Sequence, residues 1–150
     1  MDQIDRHIIG ILQANSRATV SEISRDVGLS IPAVSERIRK LEESGTIASY
    51  SVRVNRTAAG FHLMAMMFVS IDKTEQIANF RSTVVSFPQV LECHHITGDY
   101  DYLLKLLLRD TVELEHFLSR QLKSIEGVSR TNTQIILSSL KEEINRPLES

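Results

Sequence analysis

The sequence predicts an α+β fold in two parts, and three observations predict it. Apolar residues recur at helical spacing through the first 46 residues. A three-residue link, Gly28-Leu29-Ser30, joins two of those stripes. Beyond residue 60 the segments alternate in the order β-α-β-β-α-β. The expected parts are a helical domain over residues 1–46, a linking strand and turn over 47–60, and a sheet-and-helix domain over 61–150.

The first helix follows from Ile4, Ile8, Ile11 and Leu12, which fall on one stripe, with Asp2 placed to cap its start. Val20, Ile23 and Val27 mark a second helix, capped by Thr19 or Ser21, with Glu22 in the first turn to suit the helix dipole. Gly28 stops it. Ser30 caps a third helix, in whose first turn Pro32 forfeits no hydrogen bond. Val34, Ile38 and Leu41 form its buried stripe and Gly45 ends it.

Two amphipathic helices joined through a short glycine turn make a helix-turn-helix signature. Small Ser24, four residues before Gly28, and Val34, six after, let the helices cross closely. The plainer alternative is any small helical hairpin. If the third helix enters the major groove, the candidate DNA contacts are Ser30, Pro32, Ser35, Glu36, Arg37, Arg39 and Lys40. Ser35 can donate or accept at a base edge, and Glu36 can accept from a cytosine amino group. Arg37 and Arg39 suit phosphate or guanine; Lys40 suits phosphate. A solvated face balanced by Glu36, Glu42 and Glu43 is the alternative, and it stays open.

The segment GTIASYSVRVN alternates as a strand, and NRTAAG (55–60) reads as the turn that closes it. HLMAMMFVSI (62–71) is a strand apolar on both faces. TEQIANFRSTVVSF (74–87) is a helix capped by Thr74, with Ile77, Phe80, Val84 and Val85 inward and Pro88 beyond. QVLECHHIT and YLLKLLL are strands either side of the GDYD turn. TVELEHFLSRQLKSI is a helix capped by Asp110 or Thr111, VSRTNTQIILSSL a final strand, and KEEINRPLES a polar tail.

This order is the split βαβ, or ferredoxin-like βαββαβ, plan: an antiparallel sheet with both helices on one face. The other face should be polar where it meets water. Strands 62–71 and 102–108 are apolar on both, so that face is expected to be covered by a second copy of the chain, in a two-fold dimer.

Composition excludes several classes. With 42% hydrophobic and 24% charged residues the chain is globular. No apolar run approaches the ~20 residues that cross a bilayer, no signal peptide is visible, and one cysteine fits a reducing cytoplasm. Residues 1–56 hold eight Lys/Arg against seven Asp/Glu, and residues 57–150 hold nine against twelve, for a net charge of −2. Nucleic acid would therefore meet a local patch, summed over an oligomer. Cys93, His94 and His95 cannot converge on a metal, because neighbours along a strand point to opposite faces. No nucleophile–base spacing, phosphate loop or dinucleotide fingerprint is present, so neither an enzyme nor a cofactor is expected.

In GDYD, Gly98 permits a tight turn. Asp99 and Asp101 can accept from an ammonium group, turn amides can hold a carboxylate, and Tyr100 offers an apolar wall with a polar tip. These are parts of a zwitterion pocket; a polar turn that merely joins two strands is the alternative.

Nearly the whole chain resembles the leucine-responsive Lrp/AsnC regulators. The likeness rests on Ile4-Asp5, NSRATVSEISRDVGLSIPAVSERIRKLEESGTI (15–47), VLECHHITGDYDYLLKL (90–106) and RTNTQIIL (130–137). Ser24, where the family usually has Ala, is a small departure. The resemblance implies a DNA-binding helix-turn-helix, winged or simple, and an effector-binding domain. It implies dimers, often four to a ring, that respond to amino acids where neighbouring dimers meet. It matches His95, Thr97, Gly98, Asp99, Tyr100 and Asp101 to the effector loop, with Thr133 closing it. A nonspecific DNA-architectural protein, or a small-molecule-binding oligomer without gated transcription control, is the alternative reading.

Overall fold

The computed structural model describes residues 1–148. Residues 149–150, the end of the expected polar tail, lie outside the described residues. The chain divides into two compact units, Met1–Arg53 with the segment from Lys141 onward, and Val54–Leu140.

The first unit holds α1 (Gln3–Ala14), α2 (Val20–Val27) and α3 (Ile31–Glu43). Each begins where a side-chain oxygen meets an orphan amide. Asp2 caps α1 in a reciprocal box with Asp5. Thr19, rather than Ser21, caps α2 in a box with Glu22, and Ser30 caps α3 by accepting from the Ala33 amide. Ile8, Ile23 and Val34, one from each helix, are fully buried at the centre.

The second unit holds β1 (Leu63–Ile71), α4 (Ile77–Val84, entered through a 3-10 turn), β2 (Val90–His95), β3 (Tyr102–Leu108), α5 (Thr111–His116) and β4 (Val128–Ile135). All neighbouring strands are antiparallel, in the order β2-β3-β1-β4. Asp110, not Thr111, caps α5. The expected single helix over 111–125 changes winding instead. After His116 it continues as a π-helical stretch, Phe117–Leu122, that still buries Phe117 and Leu122.

One expected strand does not form and another is shorter than expected, for one physical reason: a strand needs a partner. Residues 47–54 alternate as a strand should, yet they lie outside the sheet. The turn after them does form, with Asn55 accepting from Ala58 and Ala59. The last strand ends near Ile136, whose amide bonds to the Met64 carbonyl, because β1 begins at Leu63 and offers nothing further.

Alternation sorts the sheet into two faces. Ala65, Met67, Val69, Leu104, Leu106 and Leu108 are fully buried on the helix side, with Phe80, Val84, Phe117 and Leu122. Each such burial is worth roughly 1.5–3 kcal/mol for the larger side chains. The other face carries Met64, Met66, Phe68, Leu103 and Leu107, half-buried, with Lys105 among them. Among the described residues, no helix is long and apolar enough to cross a membrane.

Candidate DNA-reading helix and effector loop

The turn between α2 and α3 is built by Gly28 and Ser24. Gly28 ends α2 in the left-handed region (φ 69°, ψ 29°), where a side chain would be strained. Its amide donates back to the Ser24 carbonyl, as does that of Leu29. The Ser24 hydroxyl in turn donates to the Leu29 carbonyl. Sequence reading valued Ser24 only for its size; its hydroxyl also closes the turn.

On α3, Pro32, Ser35, Glu36, Arg39 and Lys40 are exposed, as is the Ser30 cap. Arg39 is fixed along the helix: Nε and Nη2 donate to Glu36 at 2.9 and 2.7 Å, and Nη1 donates to Glu43. The Arg39 hydrogen bonds hold the Glu36 carboxyl down to about 2 and push the Arg39 guanidinium up. Lys40 Nζ stands 3.6 Å from Glu36. Arg37 faces the other way. Its Nη1 donates to Asp2, the cap of α1, at 2.8 Å and to Asp5, in the first turn of α1, at 2.7 Å. Hydrogen bonds to Asp5 and then Asp2 raise its pKa.

In the second unit, the turn Thr97–Asp101 joins β2 to β3, with Gly98 at φ 107°. Asp101 anchors it. Its amide donates to the Val69 carbonyl at 3.0 Å, its carbonyl accepts from Ile96 at 2.9 Å, and Oδ2 accepts the Ile71 amide at 2.8 Å. Tyr100 packs on Phe68 with ring centroids 5.6 Å apart. Arg130 of β4 lies 4.5 Å over the Tyr100 ring and donates to the Asp99 carbonyl at 2.8 Å. Thr97, Gly98 and Asp99 are exposed. Among the described residues, the amides of Gly98, Asp99 and Tyr100 have no acceptor within the chain.

The seven effector candidates do not meet at one point. Tyr100 sits beside Phe68, on the face away from the helices. His95 stacks on Tyr102, 5.0 Å between centroids, on the helix side. Arg81 of α4 completes that second cluster: Nε donates to the Tyr102 hydroxyl at 2.7 Å, and Nη2 lies 3.4 Å from His95 Nδ1. Thr133 is opposite Met67 on β4, with β1 between it and β3. Sequence reading missed Arg81 and Arg130; neither carries a local signal, since each partner lies 14 or more residues away. Along β2, Cys93 is paired with Leu104 and points to the helices, where burial pushes its thiol up. His94 points to the opposite face and meets Glu92 at 3.0 Å.

Comparison with known proteins fits both units. Residues 1–42 match the AsnC-type helix-turn-helix domain, and residues 64–145 match the Lrp/AsnC ligand binding domain. The chain is 37% identical to an HTH-type transcriptional regulator of Pyrococcus abyssi, over 99% of this chain and 97% of that one. It is 31% identical to the leucine-responsive regulatory protein of Klebsiella pneumoniae, over 95% and 88%. A Neisseria meningitidis transcriptional regulator, solved in complex with L-Met, superimposes with a TM-score of 0.93 at 30% identity, covering 98% of this chain and 96% of that one. Escherichia coli AsnC shares the fold, with a TM-score of 0.91 at 22% identity. With a cap-defined helix-turn-helix in one unit, a ferredoxin-like sheet in the other, and both family models matched in order, the chain belongs to the Lrp/AsnC family of DNA-binding transcriptional regulators.

Proposed function

We propose that this regulator binds DNA sequence-selectively through α3, and that an amino acid held at the Thr97–Asp101 turn tunes that binding by changing how copies assemble. Ser30, Pro32, Ser35, Glu36, Arg39 and Lys40 form the reading face, and His95, Thr97, Gly98, Asp99, Tyr100, Asp101 and Thr133 supply the effector site. One observation carries the reading. The turn is anchored at Asp101 and by Arg130 over Tyr100, yet it leaves the amides of Gly98, Asp99 and Tyr100 and the exposed Asp99 side chain uncommitted. Amides suit a carboxylate and Asp99 suits an ammonium, so a zwitterion matches both. The L-Met complex of the Neisseria regulator supports the ligand class.

The candidates stand on two faces of one sheet, so a ligand that touches them all sits at a seam between copies. The apolar face of Met64, Met66, Phe68, Leu103 and Leu107 supports a dimer that covers it. Nonspecific compaction is the weaker reading, because Arg37 and Arg39 each sit between two carboxylates, leaving little free charge on α3 for phosphate. A thermal-shift screen of the protein against the twenty amino acids tests the proposal. Stabilisation by one or a few, with light scattering that reports a dimer or larger, supports it. A stable monomer, or no stabilisation by any of the twenty, counts against it.

A further inference from the structure

We infer that Arg37 is a positioning residue for DNA reading rather than a DNA contact: its bridge to Asp2 and Asp5 fixes α3 against the start of α1 and so sets the register of Ser30, Pro32 and Ser35 on the bases. The inference rests on α3 being sequence-selective. The geometry is over-determined. Asp2 and Asp5 cap α1 reciprocally, with Asp2 Oδ1 accepting the Asp5 amide at 2.8 Å and Asp5 Oδ2 accepting the Asp2 amide at 2.9 Å. Each carboxylate thus spends one oxygen on the cap, and the other oxygens, Asp2 Oδ2 and Asp5 Oδ1, converge on Arg37 Nη1. One guanidinium therefore reads the position of two cap residues at once.

Helix periodicity agrees. Arg37 lies three residues after Val34 and four before Leu41, both buried, so it belongs to the inner flank of α3. Its side chain is 30% exposed, against 52% for Arg39 and 69% for Lys40. Charge points the same way. Two carboxylates around one guanidinium leave the cluster at −1, which repels a phosphate. A contact residue would be free to swing to the backbone; Arg37 is held from two sides by groups that are themselves held.

The test uses the full-length protein and two duplexes: one enriched by the wild-type protein from a randomised pool, and a scrambled version. Failure to enrich any duplex would overturn sequence selectivity itself, a result distinct from any change in the variants. Affinities are measured by fluorescence anisotropy across a salt series for wild type, Arg37→Gln, Asp5→Asn and the double variant. The expected result is a loss of about tenfold on the enriched duplex for Arg37→Gln, the size of one displaced base contact, and a smaller loss for Asp5→Asn, which keeps the bridge to Asp2. The double variant loses no more than Arg37→Gln alone, because that substitution already removes the link to Asp5. The slope of log Kd against log salt stays at its wild-type value. Asp5→Asn weakens binding even though it removes a negative charge, a direction that simple electrostatics does not give.

A phosphate contact behaves otherwise. Arg37→Gln would then weaken both duplexes alike and lower the salt slope by about 0.9, and Asp5→Asn would tighten binding; either result overturns the inference. If Arg37→Gln does not fold, Asp5→Asn decides alone, since asparagine keeps an acceptor for the Asp2 amide. A loss that tracks only the unfolded fraction, seen by circular dichroism at the binding temperature, also overturns it.

Discussion

Asp101→Ala should destabilise the sheet unit, whereas Asp101→Asn should leave it almost intact. Residue 101 ties three strands. Its backbone bonds to Val69 of β1 and to Ile96 just past β2, and its carboxylate accepts the Ile71 amide at 2.8 Å. Ile71 sits where the pairing of β1 with β4 slips, between Ser70 and Ile71. Alanine leaves that half-buried amide without its acceptor, at a cost of about 1–3 kcal/mol. A middle value of ~2 kcal/mol, divided by a urea dependence of ~1–2 kcal/mol per molar for a unit of this size, lowers the midpoint by about 1–2 M. Asparagine keeps a carbonyl oxygen at the same place and loses only the charge, so about 0.5–1 kcal/mol is expected. The chain has no tryptophan, and two of its three tyrosines, Tyr100 and Tyr102, flank the residue. Tyrosine fluorescence in a urea titration therefore reports on the right unit. A wild-type midpoint for Asp101→Ala, or equal losses for both variants, would refute the anchor role. The asparagine variant is then the sound one for asking whether the Asp101 charge serves an effector.

The same geometry sets three further outcomes. Ser30→Ala removes the acceptor for the Ala33 amide and should cost about 1 kcal/mol; hydrogen exchange should show faster opening confined to the start of α3. Phe68→Asp places a charge in the apolar sheet face and should reduce the mass seen by sedimentation, and an unchanged assembly would mean that face is not the one covered. Glu36 is depressed from 4.5 to about 2 by its Arg39 hydrogen bonds, so the stabilisation it gives α3 is complete above pH 4.5 and is lost as pH falls toward 2. Carboxyl-detected NMR should find that low midpoint, and Arg39→Met should return it toward 4.5.

The parts legible in the sequence are those that nearest neighbours decide. Asp2 and Ser30 announce helix starts because a cap acts within three residues. The caps of α2 and α5 are each narrowed to two candidates, of which Thr19 and Asp110 serve, and the expected Thr74 cap does not form. Period-two alternation in LMAMMFVSI and YLLKLLL marked the two faces of β1 and β3. Partnership at a distance left no such trace. Nothing near Arg37 says that it bonds to residues 32 and 35 positions earlier, and nothing near Tyr100 names Arg130. Residues 47–54 carry strand patterning, but patterning supplies no partner, and the last strand stops where β1 has no more backbone to offer. The GDYD turn was found by its residue types. Its division of labour was not: Asp101 spends a carboxylate oxygen on the fold, and Asp99 stays exposed.

The most direct test of effector-tuned DNA binding is the dissociation constant for an enriched duplex, measured with each of the twenty amino acids in turn. At least one should shift Kd about fivefold or more, the lower range of typical coupling between sites, and Asp99→Asn, at an exposed side chain, should reduce the shift while remaining folded. A Kd that none of the twenty amino acids moves would contradict effector-tuned binding.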